Sequence, residues 1–160
     1  MTFQVFIAYG GDEAKKVAEK LGEYLERIGI STFVASNKFG KWLIPGQHRF
    51  KQKIWDKLQE SDIMVLVSTR KTAYSKKVKE EVLDAISKGK PILVLRENNT
   101  NIPFSKNLRE SYWIPDDLCF DINHPYKIFP EVAIHILRNM EQLAENRLQT
   151  APLLEEINHE

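Results

Sequence analysis

The stretch FQVFIAYGGDEAKKVAEKLGEYLERIGISTFVA, residues 3–35, contains the pattern that decides the fold class. The β-rich run at residues 4–8 predicts a β-strand, and residues 30–35 predict a second strand. Between them, Asp12 can cap a helix that ends before Gly29. The apolar residues of this helix recur at helical spacing and are Val17, Leu21, Leu25 and Ile28. A strand, a helix and another strand in this order predict a βαβ unit with parallel strands.

The later part of the chain repeats this alternation of strands and helices. The further strands are predicted at residues 63–67, 91–95 and 118–121. The further helices are predicted around Phe50, Ile54 and Leu58, at residues 75–88 and at residues 130–146. These segments predict an α/β fold with a five-stranded parallel sheet between two layers of helices. Residues 36–46 form a connection longer than the roughly 2–6 residues usual in α/β units, which is typical of a functional loop.

The size and charge of the chain restrict its class. Its 160 residues suit one domain, predicted over residues 1–146, with a weakly structured polar tail at 147–160. The 23 basic and 22 acidic side chains give a net charge of +1, so neither nucleic acid nor a membrane is an expected partner. Cys119 is the only cysteine, which fits a reducing compartment, and we expect a cytoplasmic protein. We find no signal-peptide pattern, and no apolar run reaches the roughly 20 residues of a membrane span.

Several short segments occur in the order of a known set of sequence boxes. Residues 5–9, VFIAY, resemble a first box V-F-I-S-Y, with alanine in place of serine. Residues 21–33 resemble a passage from the first helix to the second strand, and residues 45–46 resemble the P-G pair of the loop called BB. The E-S-D at 60–62 and the strand at 63–68 resemble the boxes that follow. Together these segments resemble the TIR (Toll/interleukin receptor) domain family over roughly residues 3–140.

The most informative part of the resemblance lies at residues 74–91. This segment is similar to the family pattern S-x-W-C-x-x-E followed by an apolar residue, and counting from Ser75 places the family glutamate at Glu81. Lys77 and Val78 stand where the family pattern has tryptophan and cysteine. The resemblance implies a flavodoxin-like doubly wound sheet with strand order 2-1-3-4-5. Ligands of such sheets bind at the carboxyl ends of the strands.

The resemblance to microbial and axonal members of the family implies an NAD+ nucleosidase. Such an enzyme cleaves the nicotinamide–ribose bond and releases nicotinamide and ADP-ribose, or a cyclic ADP-ribose product, in immune or cell-death signalling. Nicotinamide leaves NAD+ as a neutral molecule, so the reaction needs no general acid. One carboxylate that stabilises the oxocarbenium-like ribose is sufficient. NAD+ is then the substrate, and no further cofactor is expected.

Helical geometry distinguishes the two adjacent glutamates of this region. The apolar face of the helix is formed by Val78, Val82, Ala85 and Ile86. At about 100° per residue, Glu80 points away from this face and Glu81 lies on its flank, roughly 85° from the centre. The helix dipole should favour an ionised Glu81, and replacing either glutamate should change stability little. From periodicity alone, Glu80 and Glu81 could also simply form a charged, solvent-exposed edge of this helix.

Further binding residues are predicted on the loops at the same edge of the sheet. Tyr9 could stack on a base, and Gly10 and Gly11 could let backbone N–H groups approach a phosphate, although both features also suit ordinary core packing and a tight turn. Ser68 and Ser75 could hydrogen-bond ligand hydroxyls, and Ser75 also suits a helix cap.

The loop at 36–46 contributes two more candidates. Trp42 lacks apolar neighbours, so we expect it to stack on a ligand or to enter an interface with another protomer. Lys38, with the nearby Lys41, His48 and Arg49, could meet a pyrophosphate or form a solvated face. The histidines and Cys119 show no spacing of metal ligands, so no metal is expected.

Two other functions remain open from the sequence. The first is a non-catalytic TIR scaffold that self-associates, or recruits other TIR domains, through the loop at 36–46. Lys77 favours this reading and Glu81 favours the enzyme. The second is an enzyme resembling a nucleoside deoxyribosyltransferase, which has a related fold and also uses a glutamate on the sugar.

Overall fold

A parallel sheet of five strands forms the centre of the structure. The computed structural model describes residues 3–35 and 47–159, with only the backbone described at 47–51, 73 and 150–159. The strands are β1 (Gln4–Tyr9), β2 (Ser31–Val34), β3 (Ile63–Ser68), β4 (Ile92–Glu97) and β5 (Asp116–Phe120). Their order across the sheet is β2-β1-β3-β4-β5, and all neighbouring strands are parallel. The predicted flavodoxin-like α/β fold is therefore confirmed.

Helices cover both faces of the sheet. The described helices are α1 (Asp12–Arg27), α2 (Gln47–Glu60), α3 (Lys76–Ser87), α4 (Ser105–Arg109) and α5 (Phe129–His159), with 3₁₀ turns at Thr72–Tyr74 and Pro125–Ile128. Successive strand residues point to opposite faces, so β1 sends Val5 and Ile7 towards α1 and α5, and Phe6 and Ala8 towards α2, α3 and α4. Every residue of β3 is buried, as expected for a central strand covered on both sides.

The two ends of α1 differ from the prediction in the N-cap residue and in the exposure of Ile28. Gly11 is the N-cap, with φ 95°, so Asp12 is the first helical residue and the prediction that it caps the helix is wrong. Gly29 lies just past the helix end with φ 91°, as predicted, because glycine adopts positive φ without a steric cost. The helix ends before this turn, and Ile28 consequently leaves the apolar stripe and is 48% exposed.

The edge strand β5 begins two residues earlier than the predicted 118–121. Two aspartates at its start would weaken a strand by propensity alone. Asp117, however, accepts hydrogen bonds from Nε and Nη2 of Arg96 on β4, at 2.8 and 3.1 Å. Asp116 accepts one from Asn139 of α5, at 3.1 Å. Contacts with distant residues therefore fix the start of this strand.

The last helix, α5, continues well beyond the predicted end at residue 146. Its backbone is helical through His159, so the expectation of a weakly structured tail is wrong. Arg147 holds the helix to the domain, because its guanidinium donates a 2.8 Å hydrogen bond to Asp62 and lies 5.0 Å from the ring centre of Phe3. The division of the chain at 146 stays a prediction. Among the helices of the described ranges, none combines the length and apolarity that a membrane span requires.

Candidate functional site

The turn after β1 packs directly against the start of α3. A Cβ atom placed on Gly10 would lie 3.0 Å from Cβ of Ser75 and 3.2 Å from Cγ2 of Val78. Contacts this short are tighter than most real Cβ contacts, so a glycine here allows the turn to approach the helix without displacing it. The Ser75 side chain caps α3 by accepting a 3.3 Å hydrogen bond from the Val78 N–H, as predicted from the sequence. The carboxyl end of β1 and the first turn of α3 therefore form one rim.

A buried threonine joins the loop after β3 to the same rim. The hydroxyl of Thr72 accepts a hydrogen bond from the Thr69 N–H at 2.8 Å and donates one to the carbonyl of Gly10 at 3.4 Å. Thr69 and Thr72 are both buried. Because Tyr9 pairs in register with Val67, this loop leaves the sheet beside the turn after β1. The hydroxyl fixes the two loops to each other.

Glu81 is buried on α3, although the helical wheel placed it on the flank. Its side chain is 4% exposed, whereas the adjacent Glu80 is exposed, as the wheel predicted. Within the described residues Glu81 forms no hydrogen bond, and the fully enclosed polar atoms without partners are Glu97 Oε2 and Ser111 Oγ. The Glu81 carboxylate is therefore nearly enclosed and has no hydrogen-bond partner in the described chain. Its hydrogen-bonding capacity is left for a ligand.

The environment of Glu81 favours its neutral form more than the sequence suggested. Burial raises the pKa of its carboxyl from 4.5 to about 7, the positive charge of Lys77 lowers it, and the negative charge of Glu80 raises it further. Desolvation therefore outweighs the helix dipole that was expected to keep the group ionised. A carboxyl group that titrates near neutral pH is frequent at functional sites.

Tyr9 lies within electrostatic reach of Glu81. Burial raises the pKa of the Tyr9 hydroxyl to about 12, and the negative charges of Glu19 and Glu81 add to the effect. The hydroxyl therefore keeps its proton at neutral pH and can donate a hydrogen bond. The half-buried ring packs against both core layers, which fixes its position at the end of β1.

The structure brings most of the predicted site residues to one edge of the sheet. The residues at this rim are Tyr9, Gly10, Gly11, Ser68, Ser75 and Glu81. The space beside Gly10 is occupied by α3 and is not open to a phosphate, whereas Gly11 is exposed. Lys38 and Trp42 lie outside the described residues. The binding roles of all these residues stay predictions.

Sequence reasoning missed the contribution of the segment between β3 and α3. Thr72 links the two loops, and Arg70, Lys71 and Tyr74 are exposed beside it. A threonine that bonds to a residue 62 positions away leaves no local signal. The cluster of cations around an aromatic residue was visible in the sequence and was the signal that could have identified this segment.

Two of the concavities in the described chain differ in chemistry from this rim. One, of about 900 Å³, follows α1 and the edge strand β2 and is lined mainly by alternating charges, including Lys15 and Glu19. The other, of about 340 Å³, lies beside β4 and α4 and is mostly apolar, with Val94 and Leu108 in its wall. Within residues 3–35 and 47–159, no three His, Cys, Asp or Glu side chains are grouped as metal ligands.

The fold and the rim together define a flavodoxin-like α/β protein with a buried carboxylate at the carboxyl edge of its sheet. Residues 5–119, which extend from β1 into β5, match the sequence profile of the TIR domain. The match spans most of the chain. The chain therefore belongs to the TIR domain family.

Solved structures with a similar fold have low sequence identity to this chain. The CMP N-glycosidase of Clostridium botulinum superposes with a TM-score of 0.55 and 19% identity, over 81% of this chain and 97% of that one. The 2-deoxyribosyltransferase of Bacillus psychrosaccharolyticus superposes with a TM-score of 0.50 and 16% identity, over 75% of this chain and 88% of that one. At these identities the likeness concerns the fold alone. No curated protein matches the sequence with significance.

Proposed function

We propose that this TIR domain cleaves the nicotinamide–ribose bond of NAD+ and releases nicotinamide and ADP-ribose. The observation that carries the proposal is the burial of Glu81, whose carboxylate has no hydrogen-bond partner within the described chain. Burying a carboxylate without a partner is costly, and such a group is more often maintained for chemistry than for stability.

The proposed role of Glu81 is to stabilise the positive charge that develops on the ribose. Nicotinamide departs as a neutral molecule, so the barrier lies in forming the oxocarbenium-like sugar. A carboxylate in a poorly solvated site interacts with that charge more strongly than water does, and the interaction grows as the bond breaks. The ionised form of Glu81 is the active one, and its pKa of about 7 leaves a substantial ionised fraction at neutral pH.

Tyr9 fits a positioning role beside this carboxylate. Its hydroxyl keeps a proton because its pKa is raised to about 12, so it can donate to a ribose hydroxyl or to the carboxylate. Fold likeness is compatible with this chemistry, since the two solved structures are named as a CMP N-glycosidase and a 2-deoxyribosyltransferase. The family resemblance further suggests signalling in immunity or cell death, a cytoplasmic location, and cyclisation of ADP-ribose as an alternative outcome.

A second candidate function is a TIR scaffold that acts by self-association without chemistry. The observation that favours it is Lys77, which stands in the position of the family tryptophan and places a cation four residues before Glu81. Its ammonium group stabilises the ionised carboxylate but cannot provide an aromatic wall for nicotinamide. Under this reading the purified domain self-associates and leaves NAD+ intact.

One assay separates the two functions. The purified protein is incubated with NAD+ at high protein concentration, and free nicotinamide is quantified by chromatography. Release of nicotinamide by the wild type, and its loss in Glu81→Gln, support the enzyme. Self-association measured by light scattering, with no nicotinamide released at any protein concentration, supports the scaffold.

A further inference from the structure

The segment R-K-T-A-Y-S-K-K at residues 70–77, named here the basic rim segment, concentrates positive charge beside the candidate site. The chain as a whole is nearly neutral, with a net charge of +1. Arg70, Lys71, Lys76 and Lys77 nevertheless fall within eight consecutive residues, and all four are exposed. Tyr74 lies among them and is 87% exposed. Cations interleaved with an exposed aromatic ring suit an anionic ligand that carries a base.

The basic rim segment has a fixed backbone. Its Thr72 is buried, bonds to the Gly10 carbonyl, and begins a 3₁₀ turn in which the Tyr74 N–H donates to the Lys71 carbonyl at 3.2 Å. The Ser75 N–H donates to the Thr72 carbonyl at 3.0 Å. Its cations are therefore presented from a stable frame that is attached to the turn after β1.

The segment connects the site around Glu81 with the exposed Gly11. At one end, Lys77 is four residues before Glu81 and close enough for its charge to lower the pKa of that carboxyl. At the other end, Cβ of Lys71 lies 4.0 Å from the point that a Cβ on Gly11 would occupy. A ligand whose ribose meets Glu81 would therefore extend along a positively charged surface.

Three of the four cations in the segment are not explained by internal ion pairs. In the described part of the chain, the side chains of Arg70, Lys71 and Lys76 take part in no ion pair or hydrogen bond. The N-terminus of α1 is an unsuitable anion site by itself, because Asp12 and Glu13 occupy its first turn. The exposed cations of the basic rim segment are therefore better placed than the N-terminus of α1 to bind an anion at this rim.

We infer that the basic rim segment is a phosphate subsite, with Arg70 and Lys71 binding the phosphate groups and Tyr74 stacking on the base. The substrate class of the Glu81 site is accordingly a phosphate-bearing nucleotide and not a free nucleoside. This inference rests on the proposed function for its link to turnover, but its binding claim can be measured separately. Guanidinium and ammonium groups are the usual partners of phosphate oxygens, and an exposed tyrosine is a common stacking platform.

The test is calorimetric binding to the Glu81→Gln protein, which prevents turnover of the ligand. The probes are ADP-ribose, inorganic pyrophosphate and adenosine. Replacing Arg70 and Lys71 together by alanine should weaken ADP-ribose and pyrophosphate binding by about 10-fold or more and leave adenosine binding unchanged. Replacing Tyr74 by alanine should weaken ADP-ribose and adenosine but not pyrophosphate, and Tyr74→Phe should restore both.

The matched control is the double change Lys106→Ala and Arg109→Ala on α4, which removes the same charge from the connection between β4 and β5. The control should retain ADP-ribose affinity within about 2-fold, because its exposed charges belong to another connection of the sheet and interactions between exposed charges are screened by salt. An equal loss of ADP-ribose affinity in the control and in the Arg70/Lys71 variant would overturn the inference. Failure of the Glu81→Gln protein to bind either ADP-ribose or pyrophosphate would overturn it as well.

Failure of this subsite is distinguishable from failure of the proposed function. If the Arg70/Lys71 variant with Glu81 intact releases nicotinamide from NAD+ with wild-type kcat and KM, the cleavage stands and the subsite is refuted. If ADP-ribose binding depends on Arg70 and Lys71 while the wild type releases no nicotinamide, the subsite stands and NAD+ cleavage is refuted.

Discussion

Replacing Glu81 by glutamine should stabilise the fold at alkaline pH, opposite to the usual effect of changing a buried residue. The pKa of Glu81 is raised from 4.5 to about 7, so the native state binds this proton more tightly than the unfolded state does. The free energy of unfolding of the wild type therefore falls as pH rises from 4.5 towards 7 and remains reduced above that range. At about 1.36 kcal/mol per pKa unit, the ionised carboxylate costs ~3 kcal/mol.

The assay is urea denaturation of the wild type and of Glu81→Gln at pH 5 and pH 8. At pH 5 the raised pKa of Glu81 already lowers the free energy of unfolding of the wild type slightly. The difference in this free energy between Glu81→Gln and the wild type should therefore grow by ~2–3 kcal/mol from pH 5 to pH 8. Glu80→Gln is the matched control, and its advantage should stay within about 0.5 kcal/mol at both pH values, since Glu80 is exposed. An advantage of Glu81→Gln that is independent of pH would refute the assignment of a buried, titrating carboxylate.

Three further predictions concern activity and packing. Nicotinamide release should increase with pH and reach half its maximum near pH 7, because ionised Glu81 is the active form; a flat profile from pH 6 to 8 would contradict this. Specific activity should rise with protein concentration if Trp42 of the loop at 36–46 enters an interface with another protomer, as expected from the sequence. Constant activity from a monomer seen by scattering would exclude that requirement. Gly10→Ala should destabilise the fold by about 1–3 kcal/mol, because its Cβ would lie 3.0 Å from that of Ser75; unchanged urea denaturation would show that the rim can relax.

The sequence could predict the sheet because its signals are local. β3 is a continuous apolar run, and every residue of it is buried, as a central parallel strand requires. Gly29 and Ser75 mark a helix end and a helix start through backbone conformation and capping, which depend on neighbouring residues only. The start of β5 was missed because its two aspartates are satisfied by Arg96 and Asn139, which are distant in sequence.

The identity of the candidate carboxylate could be predicted, but its environment could not. Helical periodicity distinguished Glu81 from Glu80, and the exposed Glu80 agrees with it. Glu81 is buried on α3 together with Val78, which closely approaches Gly10 at the carboxyl edge of the sheet. That contact joins residues far apart in sequence, so the covered face of α3 is wider than its apolar stripe. The raised pKa follows from this burial and was therefore not predictable.

The most direct test of the account is nicotinamide release from NAD+ by the wild type, Glu81→Gln and Glu80→Gln, at matched concentration and at pH 8. We predict that the wild type releases nicotinamide measurably and that Glu80→Gln releases it at nearly the wild-type rate. Glu81→Gln should lose a factor of about 10²–10³ in rate, equivalent to roughly 3–4 kcal/mol of transition-state stabilisation. Circular dichroism of the three proteins should show that each is folded. Wild-type turnover by Glu81→Gln, or a dead Glu80→Gln beside an active Glu81→Gln, would contradict the assignment of Glu81 as the catalytic carboxylate.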